Sequence, residues 1–181
     1  MEQRRYVLLD RDGVINEDSV DFIKSPEEWH PIAGSLEAIA LLNNEGYEVA
    51  VVTNQSGLAR GLFDETTLSA IHEKMRRLLS QKGGRIASIY YCPHGPESAC
   101  DCRKPKSGLL EKFALENTVD LESVYVVGDS LRDILAAQAV NAKPVLVLTG
   151  KGLNTLSNNP KLSIPVFENL YDAAQFILSQ Q

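Results

Sequence analysis

Five short apolar runs punctuate the chain: YVLLD at 6–10, EVAVVT at 48–53, IASIYY at 86–91, VYVVGD at 124–129 and PVLVLT at 144–149. Runs this short, bounded by turn residues, predict strands buried on both faces. The intervals between them carry apolar residues at three- and four-residue spacing. That spacing predicts helices over roughly 34–45, 64–82, 107–117 and 130–140, with a last one near 169–179. The second is the clearest: Leu68, Ile71, Met75, Leu78 and Leu79 share a face, Asp64 stands where an N-cap belongs, and Gly83 and Gly84 can end it. Strands alternating with helices predict an α/β fold, a Rossmann-like doubly wound sheet, mainly parallel, with helices on both faces. The polar run GKGLNTLSNNPKLS at 150–163 reads as a surface excursion before the closing helix.

A chain of 181 residues, 44% of them hydrophobic, can bury one sizeable core, so residues 1–181 are read as a single domain. No repeat, low-complexity segment or linker divides it. The net charge of −6 and a pI near 5.1 leave no basic face for a phosphate backbone, which argues against nucleic acid as a partner. The N-terminal stretch MEQRRYVLLDRDG has too short an apolar run for a signal peptide or a membrane span. The expectation is a cytoplasmic monomer acting on a small molecule.

The candidate chemistry lies at the ends of the predicted strands, because the ligand crevice of an open parallel sheet lies beyond its carboxyl edge. Asp10, Thr53 and Asp129 each close an apolar run, and Asp12 follows in the loop after Asp10. Any one of them alone could cap a helix or begin a turn. Together they bring carboxylates and a hydroxyl to one edge, as a magnesium and phosphate site requires.

A second constellation is YCPHGPESACDCRK, with Cys92, His94, Cys100 and Cys102 in close succession. Three cysteines cannot all pair, and a reducing compartment keeps them as thiols. The residues between them are too polar and turn-rich to bury cysteines by packing. Four soft or borderline ligands suit a closed tetrahedral zinc site in the loop 92–102, with no position left for water and hence a structural role. Cys102 runs directly into Arg103 and Lys104, so the metal would fix the loop presenting both cations. His72, alone on a predicted helix, and His30, beside Trp29, carry no such signal.

DRDG at 10–13, TNQSG at 53–57, RKPKSG at 103–108 and VGDSLRD at 127–133 resemble, in order and spacing, the four motifs of the haloacid dehalogenase superfamily of phosphatases. The resemblance covers essentially the whole chain. It implies that Asp10 is a nucleophile forming an aspartyl-phosphate, and that Asp12 protonates the leaving alkoxide and then takes a proton from the hydrolysing water. It implies magnesium held by the Asp10 carboxylate, the Asp12 carbonyl and the Asp129 carboxylate, with Thr53 and nearby backbone amides holding phosphoryl oxygens and Lys104 supplying a compact positive charge. Asp133 would either orient this cluster or stand as a solvated acid in the first turn of its helix.

Within the superfamily, the DRDG opening, the zinc loop and RKP after its last cysteine resemble the heptose 1,7-bisphosphate phosphatases, which remove the C7 phosphate, and the related histidinol-phosphate phosphatases. Both lack a large cap domain. Here the intervals from Asp10 to Thr53 and from Thr53 to Lys104 are each filled by one helix and a connecting strand, so specificity would come from short loops. On this resemblance Asp18, Ser19, Val20 and Asp21 match the stretch that faces the sugar, and Arg103 matches a residue of substrate recognition. Arg11, Asn54, Gln55 and Ser56 are carried over as substrate contacts, while Ser130 stands where many of these enzymes have lysine. The reading from another class is a non-catalytic zinc module that binds a partner; the acidic charge and the complete acid set speak against it.

Overall fold

The computed structural model describes residues 4–180, so residues 1–3 and 181 of the predicted 1–181 domain lie outside the described residues. Six strands form one sheet: β1 (Arg5–Leu9), β2 (Tyr47–Asn54), β3 (Ser88–Cys92), β4 (Tyr125–Gly128), β5 (Lys143–Val147) and β6 (Val166–Phe167). Every pairing is parallel, in the order β3-β2-β1-β4-β5-β6. The helices are α1 (Ser35–Asn44), α2 (Glu65–Gln81), α3 (Gly108–Asn117), α4 (Leu131–Ala139), α5 (Gly152–Asn158) and α6 (Leu170–Ser179).

The period of two along each strand divides the core. Val7 and Leu9 of β1, Val49 and Val51 of β2, and Val145 and Val147 of β5 pack with α1, α2 and α6 on one face. Leu8, Ala50, Val52 and Val126 pack with α3 and α4 on the other. A fully buried Val or Leu contributes about 1.5–3 kcal/mol relative to exposure, so unbroken apolar strands are stable only in this two-sided arrangement. The ends of α2 follow the predicted chemistry. Asp64 accepts from the Thr67 N–H at 2.8 Å. At the other end the Gly84 N–H donates to the Leu79 carbonyl and the Gly83 N–H to the Ser80 carbonyl, with Gly83 at φ +78°.

Two elements depart from the predicted pattern. The run 150–163 is not a plain surface excursion, since it contains α5. Leu153 of that helix is 62% exposed, so no apolar stripe marks it. A polar contact holds it instead: the Thr155 hydroxyl donates to the Asp129 carbonyl at 2.8 Å. β6 has two residues, too few for any periodicity, and is fixed by pairing with Leu146 and Val147. Among the described residues no helix is long and apolar enough to cross a membrane.

Candidate active site

The sheet order reverses at β1 and β4, and a ligand crevice is expected beyond the carboxyl ends of the strands there. Asp10 follows β1 directly, and its N–H still pairs with the Val127 carbonyl of β4 at 3.0 Å. Asp129 follows β4, and Asp133 lies in the first turn of α4. Carboxylate oxygens of these three lie within 4.8 Å of one another. Gly13 shows why glycine follows Asp12: its φ is +84°, and a Cβ there would overlap the Asp129 carboxylate. Gly150 approaches the same carboxylate from the loop after β5, and the Lys151 N–H donates to Asp129 Oδ2 at 2.8 Å.

One ammonium pairs with two of the three acids. Lys104 Nζ lies 3.2 Å from Asp10 Oδ1 and 2.6 Å from Asp133 Oδ1, and it donates to the Val52 carbonyl at 2.7 Å. Burial works against its charge, but Asp10 and Asp133 outweigh that and push its pKa up to about 12. The acids move the other way. Burial, then repulsion from Asp133, raises Asp10 to about 6 despite Lys104; burial, then Asp10 and Asp133, raises Asp129 to about 8. Three clustered carboxylates with one ammonium on only two of them form a site short of positive charge, and an oxygen-ligated divalent ion fits it. Asp133 is not the solvated acid of the alternative reading. Its side chain is 2% exposed, and its Oδ2 accepts from the Ser130 N–H at 3.0 Å and the Ser130 hydroxyl at 2.8 Å.

These groups open into a cavity of about 360 Å³. Of the predicted residues, Asp10, Asp12, Thr53, Lys104 and Asp129 line it, as do Asp18, Ser19 and Val20 on one side and Asn54, Gln55, Ser56 and Arg103 on the other. Asn54 also grips the Lys104 backbone: its Oδ1 accepts from the Lys104 N–H and its Nδ2 donates to the Lys104 carbonyl, both at 3.1 Å. Two predicted contacts fall elsewhere. Asp21 is exposed and is not among the lining residues. Arg11 is fully buried, because its side chain turns inward beneath Asp12 rather than toward the cavity. The structure adds Arg60, Arg132 and Lys151 to the lining. Arg132 lies within VGDSLRD and Arg60 within the loop after Thr53, so both had a local signal. Lys151 lies in the run read as surface, where it pairs with Asp18 at 3.2 Å.

Asp12 turns away from the three-acid cluster. Its Oδ1 accepts from Arg11 Nε and Asn16 Nδ2, both at 2.9 Å, and its Oδ2 accepts from Gln55 Nε2 at 3.2 Å. Gln55 Nε2 also donates to the Thr53 hydroxyl at 3.0 Å, which ties the ends of β1 and β2 together.

The cysteine loop converges as its spacing predicts. Cys92 is the last residue of β3, and its Sγ lies 3.8 Å from Cys100 Sγ and 3.0 Å from Cys102 Sγ. His94 Nδ1 lies 3.5 Å from Cys92 Sγ and 3.2 Å from Cys102 Sγ. All three cysteines are free thiols, and one donor atom from each of the four residues lies within 4.8 Å of the others. Three sulfurs and one imidazole nitrogen at this separation fit a tetrahedral zinc. The Arg103 guanidinium donates to the His94 carbonyl at 3.2 Å, so the loop and the cavity share a wall.

A family model described as HAD-hydrolase-like matches residues 101–173. The D-glycero-β-D-manno-heptose-1,7-bisphosphate 7-phosphatase of Pseudomonas aeruginosa is 49% identical over 97% of this chain and 98% of its own length. The chain belongs to that family of phosphatases. It is a phosphoric monoester hydrolase of the HAD superfamily, which excludes the non-catalytic zinc module. The like-named enzyme of Neisseria meningitidis serogroup A is 47% identical over 97% of this chain and 96% of its length. Among solved structures, the D,D-heptose 1,7-bisphosphate phosphatase of B. bronchiseptica, complexed with magnesium and phosphate, superposes with a TM-score of 0.95 at 49% identity, covering 98% of this chain and 99% of that one.

Proposed function

We propose that this chain hydrolyses the C7 phosphate of D-glycero-D-manno-heptose 1,7-bisphosphate, leaving heptose 1-phosphate, with Asp10 as the nucleophile. The observation that carries this reading is the placement of Asp10 and Lys104 on the floor of a cavity whose rim holds Arg60, Arg103, Arg132 and Lys151. A floor that reacts with one phosphate and a cationic rim that holds another suit a bisphosphate, and the substrate named for the relatives is one.

Magnesium, held by the carboxylates of Asp10 and Asp129 and the Asp12 carbonyl, would cancel the repulsion between these acids and the phosphate dianion. An Asp10 oxygen attacks phosphorus in line and the bond from phosphorus to O7 breaks. Lys104 and Thr53 hold phosphoryl oxygens. Asp12 gives its proton to O7, since a sugar alkoxide is a poor leaving group. In the second half Asp12 takes a proton from water as that water attacks the aspartyl-phosphate, which frees phosphate and restores Asp10. Zinc at Cys92, His94, Cys100 and Cys102 would hold the loop carrying Arg103 and Lys104. A reducing compartment such as the cytoplasm suits those thiols.

The test is to quench turnover with acid and reduce the protein with borohydride, which converts an acyl phosphate to an alcohol. Homoserine at position 10 is the expected product, and D10N should yield none. Its activity should fall far more than tenfold; a loss within tenfold, about 1.4 kcal/mol of barrier, would remove Asp10 from this role.

A further inference from the structure

The Arg11 guanidinium is fully buried, and its donors are distributed in one specific way. Nε donates to Asp12 Oδ1 at 2.9 Å, and Nη2 donates to Asp12 Oδ2 at 3.1 Å and to Gln55 Oε1 at 3.3 Å. Nη1 faces away from Asp12 and meets His72 Nε2 at 3.1 Å. An arginine can only donate, so His72 Nε2 must accept and its ring proton sits on Nδ1. Burial and then the charge of Arg11 hold the His72 pKa down at about 3, so the ring remains an acceptor. His72 is itself 6% exposed, on the apolar face of α2 with Ile71 and Met75, so the helix core fixes where its nitrogen points.

The rest of the reaction does not use His72. A buried guanidinium with one unsatisfied arm would rotate to find another acceptor, and that rotation would carry Nε and Nη2 off the Asp12 carboxylate. We infer that His72 is a positioning residue for Asp12, acting through Arg11: it locks the guanidinium in the orientation that presents its fork to the acid. The inference rests on the general-acid role proposed for Asp12. In that role Arg11 also stabilises the carboxylate left behind when Asp12 gives its proton to the leaving oxygen.

The test compares kcat/KM on heptose 1,7-bisphosphate, whose alkoxide needs the proton, with that on 4-nitrophenyl phosphate, whose phenolate does not. H72L removes the acceptor. It should lose about tenfold more on the sugar phosphate than on the aryl phosphate, a modest share of what general-acid catalysis supplies. H72Q places an amide oxygen at the reach of Nε2 and should recover most of that loss. Equal losses of H72L on both substrates, or H72Q as slow as H72L, would overturn the assignment. Should H72L fail to fold, H72N takes its place, since its amide reaches only the position of Nδ1; H72N indistinguishable from H72Q would overturn the assignment equally. D12N run alongside separates the two readings. Unselective loss in D12N refutes the general-acid role, while selective loss in D12N without it in the His72 variant refutes only the role of His72.

Discussion

At the scale of residues, the proposed reaction would draw its selectivity from the rim of the cavity. Arg132 sits in the first turn of α4, where a cation opposes the helix dipole. It also lies close enough to Arg103 to work, after burial, toward lowering that arginine's pKa. Two guanidiniums that repel one another at a cavity wall are stabilised by an anion between them, and the distal phosphate of a bisphosphate is such an anion. R132A should raise KM for heptose 1,7-bisphosphate by roughly ten- to a hundredfold, the effect of about 1.5–3 kcal/mol from a charged hydrogen bond, and leave 4-nitrophenyl phosphate nearly unaffected. Equal kinetic loss on both substrates would place Arg132 elsewhere in the reaction. The two acids of DRDG were legible because, beside Thr53 and Asp129 at the ends of neighbouring strand runs, capping a helix or opening a turn does not account for them together. The direction of Arg11 was not, because a residue past a strand end obeys no period of two, and only the tertiary partners His72 and Gln55 turn it inward.

At the scale of elements, the cysteine loop and α5 contrast. The loop announced itself through ligand type and spacing, and its four donors do converge. Its proposed contribution is geometric: it ends β3, then turns the chain so that Arg103 and Lys104 enter the cavity. C102S should therefore lower turnover strongly while the circular-dichroism spectrum of the sheet and helices is kept. Metal analysis of the parent protein should find about one zinc per chain, retained under mild chelation. Full activity in C102S, or active enzyme without zinc, would contradict a structural metal. α5 gave no such notice. Its anchors are Thr155 on the Asp129 carbonyl and the Lys151 N–H on the Asp129 carboxylate, long-range polar contacts that no hydrophobic period can report.

At the scale of the whole molecule, the acids at the sheet edge link stability to pH. In the unfolded chain Asp10 and Asp129 titrate near 3.8; in the folded metal-free protein they titrate at about 6 and about 8. Between those values the folded protein holds more protons at these two acids than the unfolded chain does, so their own contribution to stability falls as pH rises from about 4 and levels off above about 8, while the buried His72, held at about 3 against 6.5 unfolded, works the other way up to about pH 6.5. The melting temperature of the metal-free protein, taken relative to D129N at the same pH, should fall between pH 5.5 and pH 8, and magnesium should raise the melting temperature more at the higher pH, where both acids are charged. A difference from D129N that stays flat or grows across this range would contradict the burial and repulsion assigned to Asp129. The all-parallel sheet was legible from apolar strands alternating with helices, and its edge located the acids.

The most direct measurement follows the phosphorus of heptose 1,7-bisphosphate by nuclear magnetic resonance, with and without magnesium, beside histidinol phosphate as a competing substrate. The C7 signal should convert to inorganic phosphate only with magnesium, the C1 signal should persist as heptose 1-phosphate, and histidinol phosphate should remain largely intact. Loss of the C1 phosphate first, hydrolysis undiminished without a divalent ion, or preferential hydrolysis of histidinol phosphate would contradict the proposed reaction.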